Sequence, residues 1–181
     1  RTSISWSRLI PDGDGEVKKQ EVVFYNEVID ELNAQGIEAF INLYNFDMPM
    51  ALQEKGGFEN REVIDAFARY ARICYQLFGD RVRYWFTFNE PIVVQTRVYL
   101  DALRWPYEQN TGTWMQWNHH KVLATAKVVR LFREKGYRGT VGCILNPEVT
   151  YPRSNAPHDV RAAERYDLFY NRVFLDPLVH G

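Results

Sequence analysis

The chain has 181 residues, with 22 Lys and Arg against 23 Asp and Glu and a formal net charge of -1. It lacks the basic surplus of a nucleic-acid binder. Its 46% hydrophobic content suffices for one core and excludes disorder, and its apolar runs are far too short to cross a bilayer.

Four segments read as strands, each followed by helical material. Thr2 to Trp6 is the first, closed by Pro11 and the turn run Asp12-Gly13-Asp14-Gly15. A helix is expected over Gln20 to Ala34, with Phe24, Val28 and Leu32 at i+4, Tyr25 and Ile29 beside them, and Gly36 at the C-terminal cap. The second strand, Ile37 to Tyr44, ends at Asn45-Phe46-Asp47-Met48-Pro49. A helix from about Arg61 to Phe78 follows, capped by Asn60 and burying Val63, Ile64, Phe67, Ala71, Cys74 and Phe78. Arg83 to Phe88 is the third strand, and Thr96 to Trp117 reads as a long irregular loop of functional character. A helix over His119 to Lys135, a fourth strand over Gly139 to Leu145 and a last helix over Ala156 to Phe174 complete the series. No linker, low-complexity segment or close repeat divides the chain, which reads as one domain. Cys74 and Cys143 read as small core residues, neither disulfide nor metal site, which implies a reducing, cytoplasmic compartment. The chain opens at Arg1 without a methionine, so its true start is expected to lie further upstream.

Strands alternating with helices imply a parallel sheet with right-handed crossovers. Three of the strands end in polar groups beside a proline: Asn45 and Asp47 before Pro49, Asn89 and Glu90 before Pro91, and Asn146 before Pro147. The run Tyr84-Trp85-Phe86-Thr87-Phe88-Asn89-Glu90-Pro91 must stop as a strand at its proline, which cannot donate to a ladder and bars the helical region to Glu90. A carboxylate is thereby held at a strand end, with Trp85 and Phe88 as apolar neighbours. Such neighbours disfavour the charged form and suit a general acid. A solvated glutamate ahead of a turn is the alternative the residues leave open. Polar residues repeated at the C-terminal ends of the strands, where an α/β barrel carries its active face, weigh against it.

Arg1-Thr2-Ser3-Ile4-Ser5-Trp6-Ser7-Arg8, Tyr44-Asn45-Phe46-Asp47-Met48-Pro49, Gly56-Gly57-Phe58-Glu59-Asn60, Phe78-Gly79-Asp80 and Trp85-Phe86-Thr87-Phe88-Asn89-Glu90-Pro91 follow one another in the order and spacing of a known family. With Gly142 to Asn146, Tyr151-Pro152 and Asp176-Pro177, they resemble the family 1 glycoside hydrolases over nearly the whole chain. The resemblance implies a TIM (β/α)8 barrel, of which the chain covers roughly strands 2 to 5 and their helices as part of a single glycosidase domain. It implies a retaining β-glycosidase, in which two carboxyl groups ~5–5.5 Å apart act as acid/base and nucleophile. Glu90 matches the acid/base, Asn89 the residue that binds the sugar 2-hydroxyl, and Arg1 an arginine that steadies the nucleophile. Asn146 occupies a family position near the substrate, with a cap or bulge role as the alternative. No cofactor or metal is implied, and the partner is a small-molecule β-glycoside rather than nucleic acid or membrane.

The chain also departs from the family. Asn45 stands where a histidine usually hydrogen-bonds the glycone, and offers donor and acceptor at shorter reach. Phe46 replaces a tryptophan and loses its indole donor, while Val98-Tyr99 and Trp105-Pro106-Tyr107 replace glycine-containing pairs and triplets. The first barrel strand is expected before Arg1 and the nucleophile glutamate after Gly181, since such barrels typically need ~250 residues. Asp47 and Glu148 are the weaker candidates for a second carboxylate within the chain. Phe46 to Leu52 and Arg153 to Gly181 look most like 6-phospho-β-glucosidases, so the expected substrate is a 6-phospho-β-glucoside. A plain β-glucosidase, a β-galactosidase and a non-catalytic half-barrel are the alternatives. These residues alone are expected to be inactive.

Overall fold

The computed structural model describes residues 1–180. Its elements in chain order are β1 (Thr2–Ser3), α1 (Trp6–Leu9), α2 (Lys19–Ala34), β2 (Phe40–Tyr44), α3 (Met50–Gln53), α4 (Glu62–Phe78), β3 (Tyr84–Asn89), α5 (Val93–Gln95), α6 (Thr111–Glu134), β4 (Thr140–Ile144), α7 (Pro157–Asp167) and α8 (Val173–Val179). The four strands form one parallel sheet in the order β1-β2-β3-β4, as successive barrel strands require. All four expected strands are therefore present, in sequence order.

Several boundaries differ from the sequence reading, and β2 begins at Phe40 rather than Ile37. Trp6 does not close the first strand; it opens α1, because the Ser5 side chain accepts from the Arg8 N–H at 3.3 Å and caps a helical turn there. The Trp6 indole N–H then donates to Gly13 O at 2.9 Å, which pins the fully buried ring under the turn run. The long loop is also shorter than expected. A π-helical turn occupies Thr96–Leu100, and α6 starts at Thr111 rather than His119, with the Asn110 side chain accepting from the Thr113 N–H at 3.0 Å. The last helix is broken into α7, a π-helical turn over Leu168–Arg172, and α8. In α2 the buried residues are Tyr25 and Ile29, while Phe24 lies exposed beneath the Arg8 guanidinium, 4.6 Å from its carbon to the ring centroid.

Contacts group into two compact units, one of residues 1–89 and 123–144, the other of residues 90–122 and from 145 onward. The first holds the sheet, α1 to α4 and the C-terminal half of α6. Its core is aromatic. Phe67 of α4 stacks on Phe88 of β3 at 4.7 Å, Trp6 stacks on Tyr70 at 5.3 Å, and Tyr75 meets Trp85 edge-on at 4.9 Å. All six residues expected on the buried face of α4 are buried. Asn60 accepts from the Glu62 N–H at 2.9 Å, although the capping position itself is Arg61. On the other face of the sheet Phe40 stacks on Tyr84 at 4.4 Å, and both rings remain 37% exposed. Cys74 is buried, Cys143 half-buried, and neither is in a disulfide.

The second unit holds α5, the N-terminal half of α6, α7 and α8. Trp114, fully buried, donates its indole N–H to Thr96 Oγ1 at 3.1 Å and stacks on Phe169 at 4.4 Å. Among the described residues, no helix is long and apolar enough to cross a membrane.

Candidate active site

The site candidates Asn45 and Asn89 of the first unit stand at the C-terminal ends of β2 and β3. Tyr44 is paired with Phe88, so Asn45 and Asn89 each stand one residue further on, at the same level of adjacent strands. Asn89 is the last residue of β3 and is 7% exposed. On the β4 side Phe86 pairs with Gly142 but Asn89 with Ile144, so β3 carries one extra residue there. Such a bulge re-aims the side chains beyond it and is common at barrel rims. The Thr87 hydroxyl, bonded to Gly142 O at 3.2 Å and to Thr125 Oγ1 at 3.1 Å, secures the strand just before its end.

Asn45 follows β2 and is exposed; its backbone N–H donates to Asp47 Oδ1 at 3.3 Å. Phe46 takes a φ of 72°, a left-handed conformation unusual for an aromatic residue. The sequence reading missed Asn42. Its Nδ2 donates to Tyr44 O at 2.8 Å, which fixes the peptide that presents Asn45. Among the described residues, Asn42 Oδ1 and Asp47 Oδ2 are buried without a hydrogen-bond partner. Arg1 is exposed, one residue before β1.

Glu90 and Asn146 belong to the second unit. Glu90 is half-buried, and its backbone sits at a φ of 46°. Pro91 was expected to keep it out of the right-handed helical region. The residue does avoid that region, but by turning left-handed rather than staying extended. A non-glycine residue held there costs roughly 1–3 kcal/mol and persists only where surrounding contacts impose it. Two such contacts follow directly. Glu90 O accepts from the Val93 N–H at 3.2 Å, and Pro91 O accepts from the Lys121 ammonium at 2.7 Å. The expected apolar neighbours Trp85 and Phe88 are engaged in the first unit's core, where the Trp85 indole donates to Val82 O at 3.2 Å.

The Tyr170 hydroxyl lies near Asn146 and Glu148. Burial, more than Glu148, pushes the Tyr170 hydroxyl up. Tyr166 donates to Glu148 Oε2 at 2.6 Å; this bond chiefly, with the nearby Tyr170 hydroxyl, holds the Glu148 carboxyl below its usual range. The same carboxylate pushes Tyr166 up to about 12. Asn171 completes the tether: its Oδ1 accepts from the Glu148 N–H at 2.9 Å and its Nδ2 donates to Glu148 O at 2.8 Å. Glu148 is thus committed to Tyr166 and Asn171, and Asp47 Oδ1 to the turn that carries Asn45. Among the described residues, no cluster of three or more His, Cys, Asp or Glu side chains is placed to hold a metal ion.

Glu90 follows directly in the chain on Asn89, the buried amide that ends β3, and Asn45 stands level with Asn89 at the end of the adjacent strand. The missed residues Asn42 and Lys121 each left a signal. Both are polar positions inside otherwise apolar stripes, Phe40-Ile41-Asn42-Leu43-Tyr44 and Trp114-Trp117-Lys121.

The family model of glycosyl hydrolase family 1 matches residues 1–181. The 6-phospho-beta-glucosidase GmuD of Bacillus subtilis is 51% identical over 181 residues, all of this chain and 39% of the relative. Beta-glucosidase A of Thermotoga maritima is 39% identical over 182 residues, again all of this chain and 41% of the relative. The solved structure of the Thermotoga maritima beta-glucosidase with noeuromycin superposes with a TM-score of 0.92 at 39% identity, covering 99% of this chain and 40% of that one. The chain therefore spans about two-fifths of the length of the curated relatives it matches, and its sheet and helices correspond to part of a TIM barrel.

Proposed function

The chain belongs to glycosyl hydrolase family 1, and from that premise we propose that it is part of a retaining, cytoplasmic β-glycosidase of carbohydrate catabolism acting on 6-phospho-β-glucosides. The observation that carries the reading is Glu90, held in a strained left-handed conformation at the end of β3 immediately after the buried Asn89. In the proposed double displacement the Glu90 carboxyl protonates the glycosidic oxygen as the bond to the aglycone breaks. A second carboxylate attacks the anomeric carbon, and Glu90, now ionised, takes the proton of the water that releases the sugar. Asn89 binds the 2-hydroxyl, a contact that strengthens as the oxocarbenium-like transition state develops. Asn45 reads the glycone hydroxyls, Asn146 lies along the substrate, and Arg1 steadies the attacking carboxylate. Two carboxyls and water complete the chemistry, so the proposal includes neither metal nor cofactor. The attacking carboxylate is assigned to no residue of this chain, since Asp47 and Glu148 are both engaged elsewhere.

The phosphorylated substrate is supported by the higher identity to a 6-phospho-beta-glucosidase, 51% against 39% for a beta-glucosidase. Asn45 in place of the usual histidine favours a second reading, a β-galactoside specificity. Kinetics of the whole protein on nitrophenyl β-glucoside and its 6-phosphate test the proposal. The phosphorylated substrate is expected to have the higher kcat/KM by about 10–100-fold, the effect of charge-assisted hydrogen bonds of roughly 1.5–3 kcal/mol. A preference for the plain glucoside would replace the phosphorylated reading, and a preference for galactosides would favour the second.

A further inference from the structure

Lys121 is 1% exposed, on the part of α6 that packs within the second unit. Its ammonium donates to Pro91 O at 2.7 Å and to Gln95 Oε1, and lies 5.6 Å from the centroid of the Trp117 ring. Gln95 is itself 3% exposed. A buried ammonium is costly, and where packing alone is needed an apolar side chain serves as well or better. This one is satisfied at the peptide group that follows Glu90. We infer that Lys121 is a positioning residue for the proton donor, an inference that rests on the role of Glu90 proposed above.

The geometry gives the reason. Glu90 occupies a backbone conformation that an L residue does not keep unaided. Its own carbonyl is tied to the Val93 N–H, and the next carbonyl, that of Pro91, is tied to Lys121. Proline supplies no N–H through which the turn could be held instead. Lys121 and Gln95 thus clamp the segment from α6 and α5, and the clamp fixes the plane from which the Glu90 side chain projects. Removing the ammonium lets that plane rotate. The carboxyl then loses alignment with the glycosidic oxygen, and misplacement by ~1 Å costs about 100-fold in rate.

The test uses the whole protein with Lys121→Met, of similar length and no donor, beside Glu90→Gln. Each is assayed on an alkyl β-glycoside, whose departure needs protonation, and on a dinitrophenyl β-glycoside, whose departure does not. The readout is the ratio of the two kcat/KM values, in which the fraction of folded enzyme cancels. Lys121→Met is expected to lower the alkyl-glycoside value about 10–100-fold more than the dinitrophenyl value, in the same direction as Glu90→Gln. Azide should raise kcat on the dinitrophenyl substrate in both variants. A wild-type ratio for Lys121→Met, with Glu90→Gln clearly split, overturns the inference alone. An unchanged ratio in Glu90→Gln overturns the assignment of Glu90 and this inference with it. Should Lys121→Met not fold, Lys121→Arg, whose wider head must displace Pro91 O, is expected to shift the ratio the same way, and a wild-type ratio there overturns the inference.

Discussion

Glu90 is held by its backbone, and that has consequences for the residues around it. A left-handed glutamate between a strand and a proline persists where surrounding contacts impose it, and Val93 and Lys121 bond the two carbonyls of this turn. Asn45 presents the opposite case. Its backbone is fixed by Asp47 and, through Tyr44 O, by Asn42, but its side chain is short and exposed. Asn45→His, restoring the residue usual in the family, is expected to raise kcat/KM severalfold, as one good hydrogen bond to a sugar hydroxyl contributes roughly 1 kcal/mol. Steady-state kinetics on the preferred glycoside check this; a marked loss would show the pocket to be shaped around the amide. Glu90 was legible in the sequence because proline stops a strand wherever it falls. Its handedness was not, because the restriction before proline excludes the right-handed helix without choosing between the regions that remain. The peptide that follows is bonded by Lys121, 31 positions beyond Glu90, and a helical pattern assigns a lysine to solvent by default.

The same division holds for the elements. The buried strands were legible because Phe40 to Tyr44 and Tyr84 to Asn89 are apolar, β-branched or aromatic runs closed by Asn and Pro. The buried face of α4 followed directly from its periodicity. Where the reading slipped, a local side-chain bond decided the boundary. The Ser5 hydroxyl turned Trp6 into a helix start, and Asn110 began α6 inside the passage whose length had suggested a loop. The indoles of Trp114 and Trp117 are covered from elsewhere in the second unit, Trp114 by Phe169 and Trp117 by Tyr99. The bulge in β3 was not legible either, since it exists only relative to β4. It nevertheless sets how Asn89 leaves the sheet.

For the molecule as a whole, the sheet has β1 and β4 at its edges, and one face keeps Phe40 and Tyr84 partly exposed. Rows of unpaired N–H and C=O groups at such edges recruit other strands. A polypeptide of these 181 residues alone is expected to associate rather than remain monomeric, and to turn over no glycoside. General acid catalysis by Glu90 alone contributes about 10²–10⁴-fold, well short of the enhancement glycosidases require. Size-exclusion chromatography with light scattering and a nitrophenyl glycoside assay check both points; a monomer whose turnover is abolished by Glu90→Gln would require a nucleophile within these residues.

The central claim, that Glu90 is the acid/base of a retaining enzyme, is tested most directly by the product that Glu90→Gln forms from a dinitrophenyl β-glycoside in the presence of azide. Azide needs no general base, so it attacks the covalent glycosyl-enzyme from the face on which Glu90 acts. The anomeric coupling in the proton NMR spectrum should identify a β-glycosyl azide in the variant and none in the unaltered protein. An α-glycosyl azide, or hydrolysis with no azide adduct, would contradict the assignment.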